Sequence, residues 1–165
     1  MADETSPATE APGPDDLVFT ELDLEVAASP ERVFAELADG WNYVGWVVGA
    51  NHVRDVDAEW PAVGSRIHHR VGSWPFTLAD STESLICEPN RRLRLRARGW
   101  PLGEAVVEIV LEPTSAERTR VVLREAPSAG PGRLVDNPAL RWGLRHRNAE
   151  SLRRLRDRVE NRATS

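Results

Sequence analysis

The sequence predicts an α+β fold in which a curved antiparallel sheet wraps around a long C-terminal helix. The first observation is a strict period-2 pattern between Arg91 and Glu112, which predicts two strands with one charged and one apolar face. The second is a helical pattern from Pro138 to about Arg162, whose apolar residues fall on one face. A half-solvated sheet must cover its apolar face, and this helix is the element that can do so.

The two strands of the hairpin also predict their own register. If the turn centres on Pro101, Arg98 lies opposite Glu104 and Arg94 lies opposite Glu108. These cross-strand charge pairs fix the register that turns the apolar side chains inward. We therefore expect the charged face to be the one in contact with water.

The segment before the hairpin begins with a first strand and a short helix. Alternation from Leu17 to Ala27 predicts the strand. Ser29 and Pro30 then predict a helix start, with the Ser29 hydroxyl as the cap, and Gly40 predicts the helix end. The following residues 41–50, with three large aromatics and two glycines, are typical of a brief irregular helical turn.

Turn signals divide the rest of the chain into further strands, giving at least six in all. Besides the hairpin and the first strand, they are expected at about 52–57, 65–72, 76–88 and 118–125. Residues 127–138 form a loop rich in Pro and Gly before the C-terminal helix. Neither an internal repeat nor a second composition regime is present, so residues 17–165 are expected to form one domain.

Composition and charge exclude several kinds of site. The first 16 residues hold five acids and no base, which predicts a disordered acidic tail and accounts for the whole net charge of −5. All 21 basic residues are Arg. The absence of Lys excludes a Schiff-base lysine, a phosphate-loop lysine and a Ser–Lys pair, because each of these needs an amine.

The same composition bears on compartment and cofactors. The 165-residue chain has neither a segment of membrane-spanning length nor the pattern of a signal peptide, and the single Cys87 cannot form an internal disulfide. These features predict a cytoplasmic protein. The four histidines and one cysteine lack any recognised ligand spacing, so we expect no metal and no cofactor.

Four segments carry a resemblance to a known family. The segments are VAASPERVFAELAD (Val26 to Asp39), WVVGANHVRDVDAEWPAVGSRIHHRVG (Trp46 to Gly72), EPNRRLRLRARGWPLGEA (Glu88 to Ala105) and RNAESLRRLRDRVE (Arg147 to Glu160). Through them the sequence resembles the START-related helix-grip superfamily called SRPBCC, and within it the polyketide cyclase/dehydrase-like proteins common in actinobacteria. This resemblance implies a cavity between the sheet and the C-terminal helix that holds a hydrophobic molecule. The superfamily includes aromatase/cyclases, lipid carriers and hormone receptors, and no cyclase catalytic motif matches this chain residue by residue.

His69 is the candidate catalytic residue. If Ile67 and Val71 mark the apolar side of their strand, His69 points inward and His68 outward. An inward imidazole can act as a general acid or base, or as a hydrogen-bond partner for a ligand carbonyl. The alternative is a structural histidine, because nothing near it in sequence completes a catalytic set.

Arg141 and Asn148 are the polar residues that fall on the buried stripe of the C-terminal helix. A buried polar side chain requires a partner, which is the backbone, an acid or a ligand. For Arg141 the alternative to ligand binding is a clamp to an acid such as Glu125. Asn148 lies midway along the helix, where the superfamily's cavity is expected.

Three functional hypotheses follow. The leading one is a binder of a polyketide-, aromatic- or lipid-like molecule, and the second is a polyketide cyclase-like enzyme that uses His69 and an arginine for proton transfer. The third is a module that binds a partner through the Arg-rich C-terminal helix. A nucleic-acid partner is not expected, and the oligomeric state is left open. Side chains predicted to line the cavity are Leu93, Leu95, Val107, Ile109, Val121, Leu123, Leu144 and Asn148, with Trp41, Tyr43 and Trp46 at its entrance.

Overall fold

The order of elements follows the predicted pattern. A computed structural model describes residues 17–73, 76–99, 103–130 and 138–162. The elements are β1 (Thr20–Val26), α1 (Pro30–Ala38), a 3₁₀ turn (Gly40–Asn42), α2 (Tyr43–Trp46), β2 (Ala50–Val56), β3 (Arg66–Ser73), β4 (Phe76–Glu88), β5 (Arg92–Gly99), β6 (Gly103–Ser115), β7 (Arg118–Ala129) and α3 (Pro138–Asn161).

Seven strands form one curved sheet in the order β1-β7-β6-β5-β4-β3-β2. All six pairings are antiparallel. Because β1 and β2 lie at opposite edges, the chain between them crosses the sheet through α1, the 3₁₀ turn and α2. The predicted α+β arrangement, with a curved sheet around a C-terminal helix, is confirmed.

The hairpin of β5 and β6 has the predicted register. Arg98 pairs with Glu104, and Arg94 pairs with Glu108. Both pairs are closed by hydrogen bonds from the arginine Nε to a carboxylate oxygen, at 3.1 Å and 3.0 Å respectively. The turn at Pro101 lies outside the described residues.

The centre of the sheet's charged face is less exposed to solvent than the alternation predicts. Glu108 is buried, because three arginines from neighbouring strands converge on its carboxylate. Arg94 donates from Nε at 3.0 Å, Arg124 donates from a guanidinium nitrogen at 3.5 Å, and Arg92 adds an ion-pair contact at 3.0 Å. The long aliphatic stems of these arginines cover the carboxylate that they neutralise.

Helix α3 buries the predicted stripe. Ser151, Leu152, Leu155 and Val159 are buried, whereas Leu144 is partly exposed. The helix packs mainly against β1, α2 and α1, and less against β7. It therefore lies over one side of the sheet's inner face.

A buried ion pair joins α1 to α3. Glu36 is almost fully buried and accepts hydrogen bonds from Arg158 at 2.5 Å and from Arg162 at 2.6 Å. Arg158 also lies flat against Gly45, where an added Cβ would be 2.7 Å from its guanidinium carbon. Both α1 and α2 are thus fixed to the last two turns of α3.

Two details of α1 differ from the prediction. Ser29 stands at the N-cap, but its side chain does not cap the helix. Its hydroxyl instead lowers the pKa of Glu31 by hydrogen bonding to that carboxylate. The helix ends at Ala38, and Gly40 starts the 3₁₀ turn, where a Cβ would come within 2.7 Å of Val56 Cγ1. Close packing against β2, rather than a left-handed C-cap, requires glycine there.

Several expectations fall wholly or partly outside the described residues. The acidic tail 1–16 does, and so do residues 131–137 of the predicted Pro/Gly loop. The first part of that loop is strand instead, since β7 continues to Ala129. Within the described ranges, no helix is long and apolar enough to cross a membrane.

Candidate ligand-binding site

One end of the sheet's inner face is lined by small side chains and remains accessible. The register places Ala97 of β5 opposite Ala105 of β6, and Val107 is two residues further along β6. All three are partly exposed, whereas Leu93 and Leu95 on the same face of β5 are buried. We call Ala97, Ala105 and Val107 the inner floor.

Polar side chains from three elements border this floor. Thr82 of β4 is the cross-strand neighbour of Ala97 and is completely buried. Its hydroxyl oxygen lies 3.0 Å from His69 Nε2 and 2.9 Å from the Tyr43 hydroxyl. His69 points inward as predicted, next to Ile67 on the same face of β3. Thr82 thus links a strand histidine to the first residue of α2.

Aromatic packing holds the two rings in place. The rings of Tyr43 and His69 stack with centroids 5.2 Å apart, and Trp46 meets the Tyr43 ring edge-on at 5.6 Å. Tyr43 and Trp46 are both buried. The helical turn α2 therefore sets the wall that faces β3 and β4.

Burial keeps both titratable rings neutral. It raises the pKa of Tyr43 to about 12, which the Thr82 hydrogen bond opposes only in part. Burial also lowers the pKa of His69. The carboxylate of Asp80 and the Arg70 backbone oppose that shift without cancelling it. At neutral pH the imidazole is therefore available to accept or donate a hydrogen bond.

Two buried polar atoms at this place make no hydrogen bond within the described residues. They are Nδ1 of His69 and Oδ2 of Asp80. The two residues are direct cross-strand partners of β3 and β4. Leaving such groups unpaired costs about 1–3 kcal/mol each. A cost of this kind is common at functional sites.

A second polar group joins the sheet to α3. Glu125 of β7 is buried and accepts from Arg147 at 2.5 Å and from Asn148 Nδ2 at 2.6 Å. Arg147 also donates to Asn148 Oδ1 at 3.3 Å. The carboxylate and guanidinium both act on Tyr43 electrostatically, so this group lies near the Tyr43–His69 cluster.

A clamp between Arg141 and an acid such as Glu125 was the predicted alternative to ligand binding, and the structure has this clamp with a different arginine of the same helix. Arg147 makes it, whereas Arg141 is exposed and does not lie on a buried stripe. The described side chains of the first two turns of α3 are exposed or partly exposed, and among the described side chains of this helix Asn148 is the first that is buried.

The other predicted site residues are divided between the core and the surface. Trp41 is exposed, and Val107 belongs to the inner floor. Five of the predicted lining side chains are fully buried in the hydrophobic cluster, so their contact with a ligand stays a prediction. These five are Leu93, Leu95, Ile109, Val121 and Leu123.

Sequence reasoning did not identify Asp80, Thr82 and Arg147. The first two lie in the segment Ala79 to Ser84, where inward and outward positions are almost all polar, so alternation gives no contrast. Arg147 stands beside Asn148 in a helix with seven arginines, and only the contact with β7 distinguishes it. Within the described ranges, no group of three or more His, Cys, Asp or Glu side chains is arranged to hold a metal ion.

Known structures share this architecture. The Zhui aromatase/cyclase from a Streptomyces species is 18% identical, with a TM-score of 0.65 over 89% of this chain and 96% of that one. A Staphylococcus aureus protein of unknown function is 10% identical, with a TM-score of 0.69 over 92% and 99%. The two-domain aromatase/cyclase StfQ of steffimycin biosynthesis is 15% identical, with a TM-score of 0.68 over 92% of this chain and 53% of that one. At these identities the likeness establishes the fold alone.

Sequence comparison assigns the family. No curated protein sequence matches the chain at a significant level. The family model described as polyketide cyclase / dehydrase and lipid transport matches residues 20–160, which run from the first residue of β1 almost to the end of α3. The chain therefore belongs to the polyketide cyclase / dehydrase and lipid transport family.

Proposed function

We propose that residues 17–165 form a single domain that binds a hydrophobic small molecule between the sheet and α3. The observation that carries this proposal is the inner floor, which stays accessible beside the buried Leu93 and Leu95 of the same face. Alanine side chains leave space above the sheet, and the buried polar atoms of His69 and Asp80 lie on the same face of the neighbouring strands β3 and β4. A concave apolar surface with a few convergent polar groups is typical of a small-molecule site.

The family supports the same class of ligand. Its description joins polyketide cyclases with lipid transport, and both kinds of protein handle largely apolar molecules. Arg147, Glu125 and Asn148 satisfy one another, so they act in this proposal as the support that holds α3 over the site. Tyr43, Trp46 and His69 form the wall, and Trp41 and Leu144 lie further out.

Filling the inner floor tests this proposal. We would measure the binding of N-phenyl-1-naphthylamine, a neutral fluorescent probe, to the wild-type chain and to Ala97→Leu. The larger side chain should weaken binding by at least about tenfold, since it occupies the space of the ligand. Ala35→Leu, on the exposed side of α1, is the matched control and should bind like the wild type. Equal binding by all three proteins would contradict the proposed site.

A second candidate function is proton transfer in a cyclase-like reaction. It is favoured by the neutral imidazole of His69 in a largely apolar surrounding, with Arg147 as the nearby arginine. In such a reaction His69 would take a proton from an enolisable polyketide as the ring closes. His69→Gln should then lower turnover by roughly 10²–10⁴-fold while binding is retained. A change of only a few-fold would leave His69 as a binding or structural group.

The partner-binding alternative has less support. Most arginines between Pro138 and Arg162 form ion pairs, as in Arg158 and Arg162 with Glu36, or Arg153 and Arg154 with Glu150. These pairs weaken the positive field of the helix for a nucleic acid or another polyanion, although two arginines that share one carboxylate keep one positive charge. We propose a cytoplasmic location, because the lone Cys87 suits a reducing compartment.

A further inference from the structure

We propose that the ligand carries a neutral hydroxyl group that bridges His69 and Asp80, so that phenols, enols or alcohols are bound in preference to ethers and carboxylates. This inference rests on the proposed function and specifies the ligand class of the same site. It is carried by two buried atoms, His69 Nδ1 and Asp80 Oδ2, that make no hydrogen bond within the described residues.

The first step is the placement of the two side chains. His69 and Asp80 are direct cross-strand partners, and such partners project from the same face of a sheet with Cβ atoms about 4.5–5.5 Å apart. Thr82, two residues after Asp80, lies on this same inner face and contacts the His69 ring. One hydroxyl oxygen is therefore able to meet both residues.

The second step is the direction of the hydrogen-bond chain from Tyr43 through Thr82 to His69. If the Tyr43 hydroxyl donates to Thr82, then the Thr82 hydroxyl donates to His69 Nε2, and the ring proton is on Nδ1. The opposite direction leaves the buried Tyr43 proton without an acceptor as well. In a third arrangement Thr82 accepts from both Tyr43 and His69 Nε2, because a hydroxyl oxygen has two lone pairs. The buried Thr82 proton then has no acceptor among the described residues, and Nδ1 becomes a second acceptor on the cross-strand neighbour of Asp80. The first direction has the smallest cost of the three, so we take Nδ1 as a donor.

The third step is the complementary acceptor. Asp80 Oδ1 accepts from the Ser81 backbone N–H at 2.7 Å, whereas Oδ2 has no such donor among the described residues. A carboxylate oxygen only accepts, and the Nδ1 group only donates. A hydroxyl satisfies both, because its oxygen accepts from His69 while its proton goes to Asp80. An ether lacks the proton, and a second carboxylate would be repelled by Asp80.

Three probes with one ring system test this inference: 2-naphthol, 2-methoxynaphthalene and 2-naphthoate. Burial of apolar area alone favours the ether, which has the extra methyl group. We expect the opposite order, with 2-naphthol binding roughly 10- to 100-fold more tightly than the ether, since hydrogen bonds to charged groups are the stronger ones. The anion 2-naphthoate should bind most weakly. Isothermal titration or fluorescence competition measures all three.

Asp80→Asn supplies the matched variant. An amide keeps the shape but removes the charge, so the preference for 2-naphthol over the ether should shrink to a few-fold and 2-naphthoate should bind better than it does to the wild type. Asp23→Asn, at an exposed ion pair on the outer face, should leave all three affinities unchanged. If Asp80→Asn does not fold, the order of the three probes on the wild-type chain decides alone.

The outcomes separate the inference from the proposed function. If neither 2-naphthol nor its methyl ether binds, the proposed function itself is overturned. If the two bind equally, or if 2-naphthoate binds as tightly as 2-naphthol, the site binds an apolar ring but the hydroxyl inference is wrong. A preference for 2-naphthol that is as large in Asp80→Asn as in the wild type would also overturn it.

Discussion

Removal of the charge at Glu108 should destabilise the protein far more than the same change at Glu112. Both residues lie in β6 and on the same charged face, but the Glu108 side chain is only 6% exposed and the Glu112 side chain 47%. Loss of one partner of a fully buried pair costs about 3–5 kcal/mol. The partners of Glu108 keep some contact with water, so we expect Glu108→Gln to lower the free energy of unfolding by roughly 2–4 kcal/mol.

Glu112→Gln is the control, with an expected loss of about 0.2–1 kcal/mol, because its contact with Arg120 is solvent-exposed. Urea denaturation followed by circular dichroism measures both variants, and the denaturant slope shows whether the transition stays two-state. High salt should reduce the loss of unfolding free energy caused by Glu112→Gln and leave most of the loss caused by Glu108→Gln. Equal losses of unfolding free energy in the two variants would refute the conclusion that the centre of this face is buried.

Three further predictions concern the inner side of the sheet. Asn148→Leu should cost about 1.5–3 kcal/mol in urea denaturation, because Glu125 loses its 2.6 Å donor; unchanged stability would contradict the clamp. The pKa of His69 is lower folded than unfolded, so stability should fall as pH drops from about 6.5 through the folded value, and His69→Gln should remove this dependence. Because the pKa of Tyr43 is raised to about 12, the ultraviolet signal of this single tyrosine should remain that of the neutral phenol at pH 11; ionisation near 10 would show that its hydroxyl is not buried.

The hairpin shows how much of the fold can be predicted from the sequence. Its alternation determined the strands, the inward face and even the pairing of Arg98 with Glu104, because each of these depends on neighbours in the chain. The C-terminal helix was predicted in the same way, and its stripe from Ser151 to Val159 is buried. Local patterns of this kind are sufficient to predict an element and its buried face wherever one face of that element is clearly apolar.

The candidate site was predicted only in part, because it depends on contacts between distant elements. Tyr43 and His69 were selected separately, yet their stacking and their shared partner Thr82 arise from the way α2 packs on β3 and β4. Arg141 and Arg147 are both arginines of one helix, and the sequence does not reveal where the sheet beneath that helix ends. The expectation that Glu108 is exposed to solvent was wrong for a similar reason. The alternation of the sequence does not show that several arginines converge on one carboxylate.

The central claim is that a ligand lies on the inner floor beside His69. The most direct measurement is a set of isotope-filtered nuclear Overhauser effects between bound 2-methoxynaphthalene or 2-naphthol and the methyl groups of the labelled protein. We expect contacts with the methyls of Ala97, Ala105 and Val107 and with the ring of His69. Contacts confined to exposed side chains such as Val63 and Trp142 would contradict the account and place the ligand on the surface.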